Sequence, residues 1–381
     1  MASLKKLFSI IFVSLLLLLF GVHGSAAKPN GCYINNIYSL GDSIADTGNL
    51  LRLGLDGSFN VIASFPYGET IHKPTGRCSN GLLMIDYLAT ALNLPLVNPY
   101  LDKEANFEHG VNFAVAGATA LETSFLAQKG ILMPYTNASL SVQLDWFKTH
   151  LNSTCSSKEA CKKQLERTLF TLGEIGGNDY NYAFFEGKQI DEVIALVPLV
   201  VQKITDTAKE LIEAGVVHMV VPGNFPIGCV PSYLEMFSRM VVNQTDAFDE
   251  FNCVKSLNAF AMLHNEQLQA SLTELRHAYP NVQIMYADYF HAFLNLLEKA
   301  SDYGFKKDTL RKACCGAGGE HNFDATKICG SPGTTTCENP SDHISWDGIH
   351  LTQEAYKVMA QSLMEGGFTY PTYGVQKLWK C

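Results

Sequence analysis

Short runs of apolar, β-prone residues alternate with longer amphipathic stretches along the chain. Apolar runs predict five strands, over residues 36–40, 111–115, 169–172, 217–221 and 282–286. Amphipathic patterning predicts five helices, over residues 82–92, 142–150, 190–213, 254–279 and 353–365. Strands that are almost continuously apolar and are separated by helices are typical of a parallel sheet covered on both faces. The pattern therefore predicts one doubly wound α/β domain.

Four short polar or glycine-rich segments follow the first three strands or lie close to the last helix. They read GDS (41–43), AGAT (116–119), GGND (176–179) and WDGIH (346–350). In open α/β sheets, binding and catalytic sites form beyond the carboxyl ends of the strands. The sequence therefore predicts that the functional groups of the chain come from these four segments.

Ser43, His350 and Asp347 have the residue types that transfer of an acyl group to a hydroxyl requires. Ser43 follows the first strand on a tight turn, which would present its hydroxyl as a nucleophile. An imidazole titrates near working pH, so His350 is the candidate base. Asp347 lies three residues before it, a spacing that can aim a carboxylate at the far imidazole nitrogen. The three residues form a candidate catalytic triad.

Gly117 and Asn178 are candidates for an oxyanion hole. Gly117 offers an unobstructed backbone N–H, and Asn178 offers a side-chain amide. Each of these short motifs occurs by chance in many chains. Their joint occurrence, in order and on the predicted loops, is what favours a serine hydrolase.

The same residues also have purely structural interpretations. Ser43 and Asp46 could form a capping box at the start of a helix. The GGND segment could be a plain turn, and His350 could be a buried core histidine. His343 is a second candidate base, but it directly follows Asp342, and adjacent residues of an extended chain point to opposite sides.

The N-terminus has the layout of a cleaved secretory signal. Lys5 and Lys6 precede an apolar run that ends near Val22, and small residues follow at positions 24–27. A membrane anchor is the alternative, but the run is barely long enough and no charged stop-transfer flank follows it. We expect a signal peptide over residues 1–26 and one domain over residues 27–381, with no integral membrane association.

The charge balance disfavours two classes of partner. The formal net charge is −9, and it becomes −11 (−9 − 2) once Lys5 and Lys6 are removed with the signal. An acidic chain without a basic cluster is poorly suited to nucleic acid or to anionic membranes. We therefore expect no nucleic-acid partner.

Eleven cysteines in an exported chain indicate disulfides rather than a metal site. Cys155 and Cys161 could close a short polar loop, and Cys229 and Cys253 flank a surface segment. The remaining crowded group is Cys314, Cys315, Cys329 and Cys337. This group with His321 could hold zinc, but it lacks paired C-x₂-C knuckles. The connectivity stays open, and the odd total leaves at least one thiol over.

Three sequons fit an exported chain. Asn137, Asn152 and Asn243 each begin an Asn-x-Ser/Thr triplet in a polar stretch. We expect all three to be glycosylation sites on surface loops.

The chain resembles the plant GDSL-type esterases/lipases of the SGNH hydrolase superfamily, and the resemblance runs through the whole region after the predicted signal. The matching segments are GDSIADTGN (41–49), FPYGET (65–70), PTGRCSNG (74–81), GVNFAVAGATAL (110–121), GEIGGNDY (173–180), GNFPIGCVP (223–231) and SWDGIHLT (345–352). The resemblance implies a three-layer α/β/α, flavodoxin-like fold with a central parallel sheet of about five strands. Cys78 stands where many relatives carry an aromatic residue, and we expect it to be a buried free thiol.

The resemblance also implies a mechanism. It makes Ser43 the nucleophile, Asp347 and His350 the rest of the triad, and Gly117, Asn178 and the Ser43 backbone N–H the oxyanion donors. It implies a secreted carboxylic ester hydrolase, outside the cell or in the vacuole, that forms an acyl-serine intermediate. No cofactor or metal is called for, and we expect a monomer that acts on a small-molecule ester.

Two segments, residues 74–89 and 109–121, look closest to the acetylajmalan esterase branch of that family. This resemblance implies an acetylesterase of plant specialised metabolism, acting on an ester such as an acetylated alkaloid. The alternatives are an acyl-lipid esterase or lipase, and an acyltransferase that uses the same acyl-enzyme. A catalytically dead binding protein is a third possibility, which loss of Ser43, Asn178 or His350 would have supported; all three are present.

Overall fold

The computed structural model describes residues 34–54, 58–132, 134–241, 246–365 and 367–372. The predicted signal peptide, residues 1–26, lies outside the described residues, as do Asn243, Cys32 and Cys381.

Eight strands form two sheets within the described residues. They are β1 (Asn36–Leu40), β2 (Gly110–Asn112), β3 (Thr168–Leu172), β4 (His218–Pro222), β5 (Gln283–Ala287), β6 (Cys315–Gly316), β7 (Thr335–Thr336) and β8 (Thr369–Tyr370). The main sheet has the order β2-β1-β3-β4-β5-β8, and β6 pairs with β7 in a small antiparallel ribbon. The first five strands pair in parallel, which confirms the predicted parallel sheet. The antiparallel edge strand β8 was not predicted, because its two residues carry no pattern.

Twelve α-helices lie within the described residues. They are α1 (Asn49–Arg52), α2 (Met84–Ala91), α3 (Thr123–Gln128), α4 (Leu140–Thr154), α5 (Lys158–Leu165), α6 (Gly177–Phe185), α7 (Ile190–Ile194), α8 (Val197–Ala214), α9 (Pro231–Val241), α10 (Lys255–Ala278), α11 (Tyr289–Glu298) and α12 (Gln353–Glu365). All five predicted helical stretches contain helix. The stretch 190–213 is two helices, because Pro198 sits in the first turn of α8, where a residue without an N–H is tolerated. The GGND segment begins α6 and is therefore not a plain turn.

Neighbouring residues of each strand face opposite layers of helices. Tyr38 packs edge-to-face on Phe147 of α4, at 5.9 Å between ring centroids, in a core cluster that α8 and α10 also supply. Ile37 belongs to a second cluster, together with Leu296 of α11 and Met359 of α12. Because successive side chains of a strand point to opposite faces, one run of apolar residues supplies both cores. The three-layer α/β/α architecture is confirmed.

β1 lies inside the sheet and pairs on both sides. Ser39 is in register with Asn112 of β2, and Leu40 is in register with Leu172 of β3. All five residues of β1 are buried. The loops after β1, β2 and β3 therefore leave the sheet at the same edge.

Four disulfides join eight of the cysteines, and they decide the connectivity that the sequence left open. The pairs are Cys155–Cys161, Cys229–Cys253, Cys314–Cys337 and Cys315–Cys329. The zinc alternative is wrong, because the sulfurs of its four cysteines are bonded to one another, and His321 Nδ1 lies 3.0 Å from the carbonyl oxygen of Arg311. Cys78 is a buried free thiol, as predicted.

Two of the predicted sequons lie in the described chain, and both asparagines are exposed. Asn137 is on the loop before α4, as expected. Asn152 lies within α4 instead of on a loop, because the helix continues to Thr154.

No helix of the described residues is both long enough and apolar enough to cross a bilayer.

A buried ion pair should contribute strongly to stability. Arg77 donates from Nε and Nη2 to the two carboxylate oxygens of Asp86, at 2.9 and 2.8 Å, and both side chains are buried. Arg77→Ala would leave the Asp86 charge buried without its partner, so the free energy of unfolding should fall by about 3–5 kcal/mol. Equilibrium denaturation in guanidinium chloride measures the change.

The matched control is Lys148→Ala, which breaks an exposed ion pair with Glu210 on the surface. Its cost should be below about 1 kcal/mol. A loss of stability in Arg77→Ala that is no larger than the loss in Lys148→Ala would contradict a structural role for the buried pair.

Candidate active site

Ser43 is placed by the turn that ends β1. Gln143 of α4 holds this turn: its Oε1 accepts from the Gly41 N–H and its Nε2 donates to the Gly41 carbonyl, both at 2.8 Å. The chain then closes one helical turn, in which the N–H of Asp46 donates to the carbonyl of Asp42 at 2.9 Å. Ser43 is buried apart from 7% of its surface. The result is a fixed hydroxyl at the carboxyl end of a central strand.

Ser43, His350 and Asp347 form an unbroken line of hydrogen bonds. Ser43 Oγ lies 2.8 Å from His350 Nε2, and His350 Nδ1 lies 2.7 Å from Asp347 Oδ2. The other carboxylate oxygen, Oδ1, accepts from the backbone N–H groups of Ile349 and His350, at 3.0 and 2.8 Å. These backbone bonds explain the spacing of three residues, because the loop folds Asp347 back onto its own His350.

Asp347 is held as a carboxylate. Burial alone would raise the pKa of Asp347, but the neighbouring His350 and the backbone N–H groups outweigh it and hold the pKa at about 2. The group therefore stays ionised across the physiological range, as an orienter of imidazole must.

Tyr67 also supports this carboxylate. Its hydroxyl donates to Asp347 Oδ2 at 2.8 Å, and its ring packs edge-to-face on Trp346. Burial and the Asp347 charge raise the pKa of Tyr67 well above its ordinary value, so the hydroxyl keeps its proton and remains a donor. Tyr67 lies in the FPYGET segment, but the sequence predicts no role for it, since the 280 positions that separate it from Asp347 leave no local signal.

Asp46 shows that the capping-box interpretation of Ser43 is wrong. Its carboxylate accepts from the backbone N–H groups of Gly48, Asn49 and Leu50, and so caps α1 itself. The same carboxylate accepts from the N–H of Ala116 at 2.8 Å. Ser43 Oγ is free to face His350, and Asp46 ties the Ser43 turn to the loop that carries Gly117.

The loop of Gly117 is held from two sides. The Tyr182 hydroxyl donates to the Gly117 carbonyl at 2.8 Å. The Asp179 carboxyl accepts from the N–H groups of Ala120 and Leu121, at 2.8 and 2.9 Å, and burial raises the pKa of Asp179 to about 7. Gly117 lines the same cleft as Ser43.

Asn178 is the second residue of α6 and faces the Ser43 turn. Its Nδ2 donates to the Ala118 carbonyl at 3.0 Å and to Asp42 Oδ2 at 3.2 Å. The structure therefore brings both oxyanion candidates to the cleft, with the Asn178 amide resting on neighbouring acceptors.

His343, the second candidate base, does not reach the cleft. It is half-buried, and its imidazole lies beside the Cys314–Cys337 disulfide, within 4.8 Å of both sulfurs. The geometry thus separates the two histidines, and only His350 contacts Ser43.

The loop of His350 is shaped by Gly348 and by the disulfide-linked segment beneath it. Gly348 has φ +96°, and a Cβ there would lie 2.4 Å from Phe323 Cδ2. The N–H of Cys315 donates to the Trp346 carbonyl at 2.7 Å. The two crosslinks at Cys314 and Cys315 therefore support the loop that carries both Asp347 and His350.

Ser43 and His350 line a cleft of about 270 Å³. Seven tyrosine and phenylalanine side chains contribute to its wall: Tyr135, Tyr182, Phe185, Phe225, Tyr233, Phe293 and Phe323. Carboxyl groups also line it, and among its described lining residues there is no lysine or arginine. The wall of the cleft is therefore largely apolar and aromatic, and these lining residues place no cationic lysine or arginine in it.

The sequence of this chain is similar to those of known proteins. The family model of the GDSL-like lipase/acylhydrolases matches residues 37–363. The GDSL esterase/lipase At1g28570 of Arabidopsis thaliana is 46% identical over 93% of this chain and 90% of its own length. Acetylajmalan esterase of Rauvolfia serpentina is 45% identical, over 93% and 92% of the two chains. Sinapine esterase of Brassica napus is 43% identical, over 100% and 96%.

Removing the Tyr67 hydroxyl should change the pH profile. Without this donor the Asp347 carboxylate holds the protonated imidazole more strongly, so Tyr67→Phe should move the acidic limb of kcat/KM to higher pH, by roughly half a unit to one unit. The plateau should fall about tenfold, the scale of one hydrogen bond to a charged group. Rates of a chromogenic acetate ester from pH 5 to 9 measure both effects.

Tyr286→Phe is the control, because it removes a buried hydroxyl that has no hydrogen-bond partner among the described residues. Its profile should match the wild type. An acidic limb that stays in place in Tyr67→Phe, or moves to lower pH, would show that Tyr67 does not act on Asp347.

Proposed function

The chain belongs to the GDSL-like lipase/acylhydrolase family and is a carboxylic ester hydrolase, and from that premise we propose that it works through an acyl-serine intermediate on Ser43. The observation that carries the proposal is the line of hydrogen bonds from Ser43 Oγ through His350 to Asp347, with distances of 2.8 and 2.7 Å. Nucleophile, base and orienter are in contact without any rearrangement.

Acylation begins when Ser43 Oγ attacks the ester carbonyl. His350 Nε2 takes the hydroxyl proton as the bond forms, and Asp347 stabilises the imidazolium that results. The tetrahedral intermediate then expels the alcohol, and His350 Nε2 donates the proton to the oxygen of the leaving alcohol. The ester C–O bond breaks, and an acyl group remains on Ser43.

Deacylation repeats the sequence with water. His350 removes a proton from the water, whose oxygen attacks the acyl carbonyl, and returns it to Ser43 Oγ when the acid leaves. Throughout, the negative oxygen of each tetrahedral intermediate accepts from the N–H groups of Ser43 and Gly117 and from Asn178 Nδ2. Asn178 releases its contact with Asp42 to do so, since at 3.2 Å that contact is the longer of its two.

We propose a short acyl group, acetyl above all, on a bulky polycyclic or glycosylated alcohol of plant specialised metabolism. Two relatives are named as esterases of acetylajmalan and of sinapine. The aromatic wall of the cleft supports a flat or polycyclic alcohol, and the net negative charge favours a cationic amine such as an alkaloid.

One observation favours the alternative of an acyl-lipid substrate. A second, apolar cavity of about 80 Å³ shares Ile44 and Glu174 with the cleft and lies between α2 and α12. A longer acyl chain would need such a space. Leu88 is in its wall, so a larger side chain there would close it.

We place the enzyme in the secretory pathway, with release outside the cell or delivery to the vacuole. Four disulfides support an oxidising compartment. The exposed Asn137 and Asn152 are proposed glycosylation sites on the same grounds.

The assignment of roles predicts a clear split among three variants. Ser43→Ala and His350→Ala should each lower kcat for a chromogenic acetate ester by about 10³-fold or more, because they remove nucleophile or base. His343→Ala should stay within a few-fold of wild type. Circular dichroism shows whether each variant is folded.

Turnover near the wild-type rate by folded Ser43→Ala or His350→Ala would remove the proposed mechanism. A collapse in His343→Ala alone would make that histidine the base.

The substrate proposal predicts a chain-length preference. Values of kcat/KM for matched p-nitrophenyl esters from C2 to C16 should be highest at C2 to C4, and acetylated alkaloids should be hydrolysed. Leu88→Phe, which fills the apolar cavity, should leave the C2 rate unchanged. A preference for C8 or longer that Leu88→Phe abolishes, with no turnover of acetylated alkaloids, would favour an acyl-lipid esterase instead.

A further inference from the structure

The buried carboxyl groups of Asp42 and Glu174 lie next to Asn178, one of the candidate oxyanion donors. Neither carboxyl group takes part in the proton transfers of the proposed mechanism. Because Leu40 of β1 is in register with Leu172 of β3, the segments that follow run side by side, and the N–H of Asp42 donates to the Glu174 carbonyl at 3.1 Å. The side chains of Asp42 and Glu174 are hydrogen-bonded to each other. Only 2% and 8% of the two residues are exposed.

A hydrogen bond between two carboxyl groups requires a proton on one of them. The Glu174 carboxyl is the better place for the negative charge, because it lies against the first residue of α6: a Cβ on Gly177 would be 2.4 Å from Glu174 Oε1. The N-terminus of a helix stabilises a negative charge. Asp42 accepts from two N–H donors, the Ile44 backbone at 3.0 Å and Asn178 Nδ2 at 3.2 Å, which favour its ionised form. Its deeper burial and the Glu174 charge outweigh these two bonds, so the proton belongs to Asp42.

We propose that Glu174 is a positioning residue of the hydrolysis: by accepting a hydrogen bond from Asp42 it keeps that carboxyl neutral, so that the Asn178 amide can turn to the oxyanion. A neutral carboxyl is a weaker acceptor than a carboxylate. It also places no anion beside the negative charge that develops in the transition state. The proposal rests on the proposed acyl-serine mechanism.

The surroundings agree with this assignment. Burial and the Glu174 charge raise the pKa of Asp42 well above its ordinary value, and burial raises the pKa of Glu174 to about 7. As the pH rises above neutrality, Glu174 therefore loses its proton first, while Asp42 still keeps its own. The other titratable groups that face it are His350, Tyr182, Tyr233, Tyr289, Tyr356 and Cys78. Burial raises the pKa of the tyrosines and of the thiol, so none of these groups becomes charged in the working range.

The test compares Glu174→Gln with the double variant Asp42→Asn/Glu174→Gln, which should restore activity. Glutamine keeps the shape but donates an N–H towards Asp42, which then ionises beside Asn178. We expect kcat for a neutral acetate ester at pH 8 to fall by roughly 10- to 100-fold with little change in KM, and the alkaline limb to begin at lower pH. Asp42→Asn/Glu174→Gln, which is neutral at every pH, should recover most of kcat and lose that limb.

Wild-type kcat and an unchanged alkaline limb in Glu174→Gln would overturn the proposal. So would a double variant as slow as Glu174→Gln, because shape rather than charge would then be responsible. If Glu174→Gln does not fold, Asp42→Asn decides alone: it should keep kcat within about tenfold, and a loss above about 100-fold contradicts the proposal. Ser43→Ala, assayed in parallel, distinguishes failure of this proposal from failure of the proposed mechanism. If Ser43→Ala is active, the acyl-serine mechanism itself is wrong.

Discussion

The register between β1 and β3 is the constraint on which the site depends. With Leu40 opposite Leu172, the turn of Ser43 and the segment of Glu174 and Asn178 leave the sheet together. β2 pairs on the other side of β1 and adds the loop of Gly117. A shift of one residue would turn every side chain of β1 to the opposite face. All five residues of β1 are buried, and Ile37, Tyr38 and Leu40 belong to the two apolar cores, so a shift would disrupt the packing of both. The burial that stabilises the sheet therefore also fixes the site.

His350 lies on a loop whose position is not set by strand pairing in the main sheet. Its loop depends on local bonds from Asp347, on the disulfide-linked segment at Cys314 and Cys315, and on the Tyr67 hydroxyl. Ser43, Gly117 and Asn178 thus lie on segments that follow strands of the sheet, whereas Asp347 and His350 lie on a crosslinked loop. Disulfides and buried polar contacts supply there the rigidity that a strand supplies elsewhere.

Much of this organisation could be predicted from sequence, because the local pattern was strong. The apolar runs of the first five strands and the D-x-x-H spacing of Asp347 and His350 are local signals. The contact of Tyr67 with Asp347 and the pair of Asp42 with Glu174 are not, since each depends on the folded register. The start of α6 at Gly177 was also hidden, because glycine and asparagine favour turns when read alone. Such conflicts between local preference and the fold are expected at functional sites.

In the proposed mechanism one serine of this chain, Ser43, becomes acylated. Treatment with diethyl p-nitrophenyl phosphate, an electrophile that phosphorylates activated serines, followed by peptide mass spectrometry, tests it most directly. We expect one phosphoryl group per chain, on Ser43, with activity lost in proportion to labelling. A label on another residue at full inactivation, or full activity with Ser43 completely labelled, would contradict it.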